Sequence, residues 1–167
     1  VKIKAFFIAI ALTISGCAVT NDVTPGQGAA TLETYKGVVV ESTAGQKPLI
    51  TITNEATSAL DLFQSDLING EGESVLPGAE VTVHYVGVGL NSGNEFDSSW
   101  DRGAPISFSL DQVIPGWSDG VVGMQVGGRR LLVIPGDLAY GEAGIPQAGI
   151  GSNETLVFVV DLLAIVQ

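Results

Sequence analysis

An α+β domain, with several antiparallel strands around one short helix, is what the sequence predicts, and three observations carry that prediction. Residues 80–86 alternate apolar and polar side chains with period two. Residues 129–134 and 155–166 are dense in β-branched and aliphatic side chains, partly continuous as in strands buried on both faces. Trp117, Val121 and Met124 recur at i, i+4 and i+7, which gives a helix one apolar face that a sheet must bury. A chain of 167 residues and 17.2 kDa has room for one ordinary domain and some accessory sequence. With 46% apolar and 15% charged residues it has ample material for a core.

From the start of the chain, Lys2 and Lys4 precede a charge-free run from Ala5 to Ile14, followed by Ser15, Gly16 and Cys17. This is the pattern of a secretory signal peptide. A membrane span needs about 20 apolar residues, and Asn21, Asp22, Pro25 and Gly26 follow too soon for that. The segment from Ile14 to Cys17 resembles a bacterial lipobox, which implies cleavage before Cys17 and attachment of diacylglycerol to its sulfur. An ordinary cleaved signal with an incidental cysteine, or a buried thiol, is the alternative. Loss of Val1 to Gly16 removes two lysines and no acids, so the formal charge of -11 becomes -13.

Residues 18 to about 32, rich in Thr, Asn, Pro, Gly and Ala, read as a flexible tether. The segments Tyr35 to Glu41 and Pro48 to Asn54 read as short strands or extended arms. The expected organisation is a lipoprotein signal peptide at 1–16, a lipidated cysteine, tether and extended arm at 17–56, and the domain proper at 57–167. In the strand at 80–86, Val81, Val83 and Tyr85 share one face and Thr82, His84 and Val86 the other. If Tyr85 faces the core, the sole histidine is a sheet-surface residue and not a catalytic base. The stretch Gly87 to Gly93 lacks dinucleotide-loop spacing and reads as a hairpin turn, with residues 91–93 supplying left-handed positions. A shorter strand runs from Ile106 to Leu110. The helix begins at Pro115, tolerated in a first turn, and the glycines at 127 and 128 are expected to end it.

Composition excludes several chemistries. Seven Lys and Arg against 18 Asp and Glu repel a phosphate backbone, so nucleic acid is not an expected partner. One cysteine rules out an intrachain disulfide framework, and with one histidine it leaves little for a metal or haem site, so no cofactor and no metal are expected.

The residues 83–85 (Val, His, Tyr), 96–99 (Phe, Asp, Ser, Ser), 101–102 (Asp, Arg), 113–117 (Val, Ile, Pro, Gly, Trp), Gly120, 126–128 (Val, Gly, Gly), 139–141 (Ala, Tyr, Gly) and 155–158 (Thr, Leu, Val, Phe) occur in that order. Together they resemble the FKBP-type peptidyl-prolyl cis/trans isomerases over about Leu60 to Gln167. The resemblance implies a strongly bent antiparallel β-sheet wrapped across one short α-helix, with an apolar pocket for a prolyl ring between them. It implies a pocket lined by Tyr85, Phe96, Asp97, Val113, Ile114, Trp117, Tyr140 and Phe158, with Trp117 as floor and Arg102 placed to pair with Asp97. Asp97, Tyr140 and the Ile114 backbone N–H are the expected catalytic groups, and Ile145 and Ile150 the expected rim. Two positions depart from the family pattern. Ile106 replaces a usual aromatic residue, and the loop from Gly144 to Asn153 lacks a usual Pro-Pro pair.

The implied function is isomerisation of X-Pro bonds, which are slow to interconvert unaided, in aid of the folding of exported or envelope proteins. The alternative is a non-catalytic chaperone or binding module for proline-containing segments. The implied partners are proline-containing unfolded or extended polypeptides and macrolide inhibitors, with the exported protein anchored through Cys17 to the bacterial cell envelope, on its periplasmic or extracellular face.

Overall fold

The computed structural model describes residues 30–166; the expected leader, Cys17 and residues 18–29 of the expected tether lie outside that span. Strands β1 (Ala30–Tyr35), β2 (Val38–Ser42) and β3 (Leu49–Ile52) form an antiparallel three-stranded sheet in the order β1-β2-β3. A second sheet contains β4 (Phe63–Ile68), β5 (Glu80–Gly89), β6 (Glu95–Ser98), β7 (Ile106–Ser109), β8 (Arg129–Ile134) and β9 (Leu156–Val166). Its order is β4-β8-β9-β5-β6, and β7 pairs with the first half of β5. The helix α1 spans Pro115–Val121.

The long central strands β5 and β9 run antiparallel from Glu80 opposite Val166 to Gly89 opposite Leu156, with a register irregularity between Thr82 and Val83. Such bulges add local twist, and twist lets this sheet curve over α1. The concave face carries Val81, Val83, Tyr85, Leu132, Ile134, Phe158 and Val160, packed with Trp117, Val121 and Met124. Two glycines set how closely the helix lies. A Cβ on Gly116 would come within 2.2 Å of Ile134 Cγ2, and one on Gly120 within 2.8 Å of Leu132 Cδ2.

The opposite face of the sheet is not a bare surface. Val86, Val88, Leu131, Val133, Val157 and Val159 are buried there beneath Val38, Val40 and Ile50 of the small sheet. This explains why all six residues of β8 are buried. Arg129, with no exposed surface, fastens the two sheets. Its Nε and Nη2 donate to the Asp161 carboxylate at 2.7 and 3.0 Å, while its guanidinium also donates to Ser42 Oγ, the Thr43 carbonyl and the Gln46 carbonyl. Burial pushes the Asp161 carboxyl upward despite the opposing guanidinium.

Several expectations are settled or corrected. Of the two readings of residues 35–41 and 48–54, short strands or extended arms, the structure has strands, β2 and β3, and their Val38, Val40 and Ile50 cover an apolar face that would otherwise meet water. The tether ends earlier than expected, since residues 30–32 belong to β1. The helix stops at Val121 and not at residues 127–128; Gly123 adopts φ +81° and donates its N–H to the Val75 carbonyl. In the β5–β6 turn only Gly93 among residues 91–93 is left-handed. Leu110 lies outside β7, opening a short 3-10 turn.

Candidate active site

The concave face positions a pocket at the junction of every element that carries the expected residues. Strand β5 supplies Tyr85, and the antiparallel pairing of Gly87 with Asp97 brings β6 alongside with Phe96 and Asp97. Position 87 must be glycine for steric reasons: a Cβ there would lie 2.7 Å from both Phe158 Cε1 and Phe96 Cζ. The segment entering α1 supplies Val113 and Ile114, the helix supplies Trp117, the loop after β8 supplies Tyr140, and β9 supplies Phe158. Together with Ile106, Phe108 and Gln112 they line a cavity of about 330 Å³.

Trp117, only 5% exposed, is the hub of the aromatic wall. Its ring meets those of Tyr85, Phe108 and Phe158 edge-on at centroid distances of 5.6, 5.3 and 5.3 Å, and Phe158 in turn meets Phe96 at 5.5 Å. Edge-to-face packing of this kind fixes each ring against the next. The polar side of the pocket is one network. The Tyr85 hydroxyl donates to Asp97 Oδ2, Arg102 pairs through Nη1 with Asp97 Oδ1, and Arg102 Nη2 donates to the Tyr85 hydroxyl at 2.9 Å. The guanidinium also stands 5.6 Å from the Tyr85 ring centroid.

This network sets the charges. Burial pushes the Asp97 carboxyl upward, but hydrogen bonds from Tyr85 and Arg102 and the guanidinium charge outweigh it and hold the group below its ordinary value. Burial, reinforced by the hydrogen bond to Asp97, raises Tyr85. Burial and the nearby Asp97 charge raise Tyr140. Asp97 is thereby kept as an anion and both phenols as hydroxyls. Neither the Tyr140 hydroxyl nor the Ile114 N–H has a hydrogen-bond partner among the described residues.

The structure brings Tyr85, Phe96, Asp97, Val113, Ile114, Trp117, Tyr140 and Phe158 to one cavity. It does not bring Ile145 and Ile150 there. These two pair with each other, N–H to carbonyl at 3.0 and 3.1 Å, and the tight turn this closes directs Ile150, 2% exposed, into the core. Sequence reasoning missed Phe108 and Gln112 as lining residues. Phe108 had a signal, since it lies two residues from Ile106 on the same strand; nothing in the sequence marks Gln112. His84 stands apart from the cavity, its Nδ1 2.9 Å from Ser99 Oγ and its ring stacked on Trp100 at 4.3 Å. The same Ser99 hydroxyl accepts the Tyr85 N–H at 2.8 Å, holding β5 in place behind the pocket.

The profile of the family described as FKBP-type peptidyl-prolyl cis-trans isomerase matches residues 71–163, the span that holds every lining residue. The chain belongs to this family. An FK506-binding protein of Streptomyces anulatus is 51% identical over 107 residues, covering 63% of this chain and 86% of that one. The FKBP-type peptidyl-prolyl cis-trans isomerase FkpA of Escherichia coli is 49% identical over 107 residues, but that match spans only 38% of FkpA. The crystal structure of Escherichia coli FkpA superimposes with a TM-score of 0.59 at 41% identity, covering 79% of this chain and 53% of that one. The FKBP fold, an antiparallel sheet with one short helix, is what the structure contains, and the enzyme class is isomerisation of X-Pro peptide bonds.

Proposed function

We propose that this FKBP-type isomerase works as an exported, lipid-anchored foldase, turning X-Pro bonds of exported or envelope polypeptides in the pocket beneath Tyr140. The observation that carries the reading is the cavity of about 330 Å³ whose lining joins the aromatic side chains of Tyr85, Phe96, Phe108, Trp117, Tyr140 and Phe158 to one carboxylate, Asp97, held by Tyr85 and Arg102. A prolyl ring is small and apolar, and such a cavity fits it without demanding a polar partner.

Rotation about a peptide bond is slow because the planar amide is resonance-stabilised, with a barrier of about 18–20 kcal/mol. The twisted transition state has lost that resonance and is less charge-separated, so an apolar enclosure of Phe96, Trp117 and Phe158 favours it over the planar ground state. The two free donors, the Tyr140 hydroxyl and the Ile114 N–H, hold the flanking carbonyls while the bond turns. Asp97, fixed by Tyr85 and Arg102, orders the polar wall and acts on the carbonyl carbon or the nitrogen electrostatically. Val113 borders the ring, and Tyr85 both lines the pocket and orients Asp97. No proton is transferred. Tyr140→Phe and Asp97→Leu are each expected to reduce turnover of a proline tetrapeptide without abolishing it; complete loss in either would point to a covalent or proton-transfer role, and no change would remove that residue from the mechanism.

The location rests on the sequence from Ile14 to Cys17 and on the run before it. In this reading residues 1–16 are a lipoprotein leader, Cys17 carries the acyl chains, and the stretch up to β1 links the anchor to the folded unit. Acyl burial contributes about 0.8 kcal/mol per methylene. Replacing Cys17 with serine is therefore expected to move the protein out of the detergent phase and to leave unprocessed precursor. Unchanged membrane recovery of a correctly cleaved Cys17→Ser protein would remove the anchor. Macrolide ligands of the kind named in the Streptomyces relative are proposed to compete for the same cavity.

A further inference from the structure

Glu154 is a buried carboxylate that the proposed chemistry does not use. It is 4% exposed and lies two residues ahead of β9. Its Oε2 accepts the Gly151 N–H at 2.6 Å and its Oε1 accepts the Asn91 N–H at 3.3 Å. Neither amide has a backbone acceptor among the described residues. A carboxylate this far from water is strongly disfavoured unless its oxygens are bonded, so its presence holds both amides to one point.

The two amides belong to two segments that each lead to a pocket-lining residue. Asn91 is in the turn between β5 and β6, and β6 carries Phe96 and Asp97. Gly151 ends the loop that begins at Tyr140. That loop is closed on itself, with the Asn153 N–H donated to the Gly141 carbonyl at 2.8 Å and Ile145 bridged to Ile150, so a displacement of Gly151 is passed to the Tyr140 end. Space has been kept for the carboxylate: a Cβ on Gly89 would lie 2.5 Å from Glu154 Oε1. Gly89 has no left-handed φ, so its glycine answers to space and not to backbone conformation.

We propose that Glu154 is a positioning residue that sets the placement of two pocket-lining segments relative to each other, β6 with Phe96 and Asp97 and the loop with Tyr140. It acts through those residues and touches no substrate. The inference rests on the reading that Tyr140 holds a substrate carbonyl, and the test keeps the two apart.

The experiment uses the full chain and the variants Glu154→Gln, Glu154→Ala and Gly89→Ala, each alone and on the Tyr140→Phe background, with Gly89→Ala also combined with each Glu154 variant. Amide exchange of Gly151 and Asn91 is followed by NMR, and KM and kcat are measured per folded molecule on a proline tetrapeptide. Exchange of both amides is expected to accelerate, with KM rising by roughly tenfold, short of the roughly hundredfold loss that a misplacement of about 1 Å can cause, and kcat changing less. Gly89→Ala is expected to reproduce the KM rise in the wild type and to add little on Glu154→Ala. The KM rise is expected to shrink on the Tyr140→Phe background. Unchanged exchange, unchanged KM despite faster exchange, or full additivity of Gly89→Ala with Glu154→Ala would each overturn the proposal. If Glu154→Ala does not fold, Glu154→Gln and Gly89→Ala carry the same decision. If Tyr140→Phe alone leaves turnover unchanged, the role given to Tyr140 falls, and the positioning claim is decided by the Gly89 and Glu154 pair.

Discussion

Removing the floor of the pocket separates shape from every polar contribution. Trp117→Ala takes away a ring that is 5% exposed and touches Tyr85, Phe108 and Phe158. Truncating a buried aromatic residue of this kind costs about 3–5 kcal/mol of stability, against a total of about 5–15 kcal/mol for a domain, so much of the variant is expected to remain folded. The catalytic loss follows from the substrate. A prolyl ring has three methylenes worth about 0.8 kcal/mol each when buried, and the floor covers one of its two faces, so about 1.2 kcal/mol of contact disappears. That corresponds to roughly a tenfold fall in kcat/KM per folded molecule, before the loss of enclosure that favours the twisted bond is added. Protease-coupled cleavage of a proline tetrapeptide measures the rate, and a denaturant titration gives the folded fraction. A folded Trp117→Ala protein with unchanged kcat/KM would refute the claim that this cavity takes the prolyl ring.

Three further outcomes follow from the fold and the charges. Arg129→Met leaves Asp161 buried without its partner and releases the Ser42–Gln46 turn, a change expected to cost about 3–5 kcal/mol; urea unfolding checks it, with turnover per folded molecule preserved. A protein starting at residue 57 loses the cover of Val38, Val40 and Ile50, each worth about 1.5–3 kcal/mol, and is expected to melt far below one starting at residue 30 in a thermal scan; equal melting would mean the small sheet is not part of the folding unit. Because the folded state lowers Asp97, its contribution to stability is complete above the ordinary carboxylate value of about 3.9 and is lost as pH falls through the depressed folded value; acid unfolding of Asp97→Asn is therefore expected to be less steep in that window than that of the wild type.

The parts of this structure that were legible in the sequence are those governed by local period and those carried by the resemblance of its ordered motifs to the FKBP-type isomerases. The alternation in β5 put Val81, Val83 and Tyr85 on one face, and there they stand. The same alternation was silent about what lies on the other face. Val86 reads as a lone outward valine until β2 and β3 fold over it, and that packing joins residues far apart in the chain. Helix α1 was placed by its apolar spacing, but its end was not, because Gly123 and the Val75 carbonyl stop it before the glycine pair does. Tyr85, Phe96, Trp117 and Phe158 were readable as a set. Ile150 was not, since its direction depends on the Ile145–Ile150 turn, and Gln112 enters the cavity wall only because the chain must bend into α1 there. Arg129 is the clearest case: in sequence it is one of two adjacent basic residues, and only the fold makes it the buried fastener of two sheets.

The central claim is that the pocket turns the prolyl bond by shape and carbonyl contacts with no proton transfer, and the pH dependence of kcat/KM tests it most directly. The wall lowers Asp97 and raises Tyr85 and Tyr140, so each moves away from neutrality, and the ordinary values already leave both residue types untitrated between about pH 6 and 8. The account requires a nearly flat profile across that window, the same in the wild type and in His84→Gln. A steep profile that disappears in His84→Gln would contradict it and assign acid–base catalysis to the histidine on the opposite face of β5.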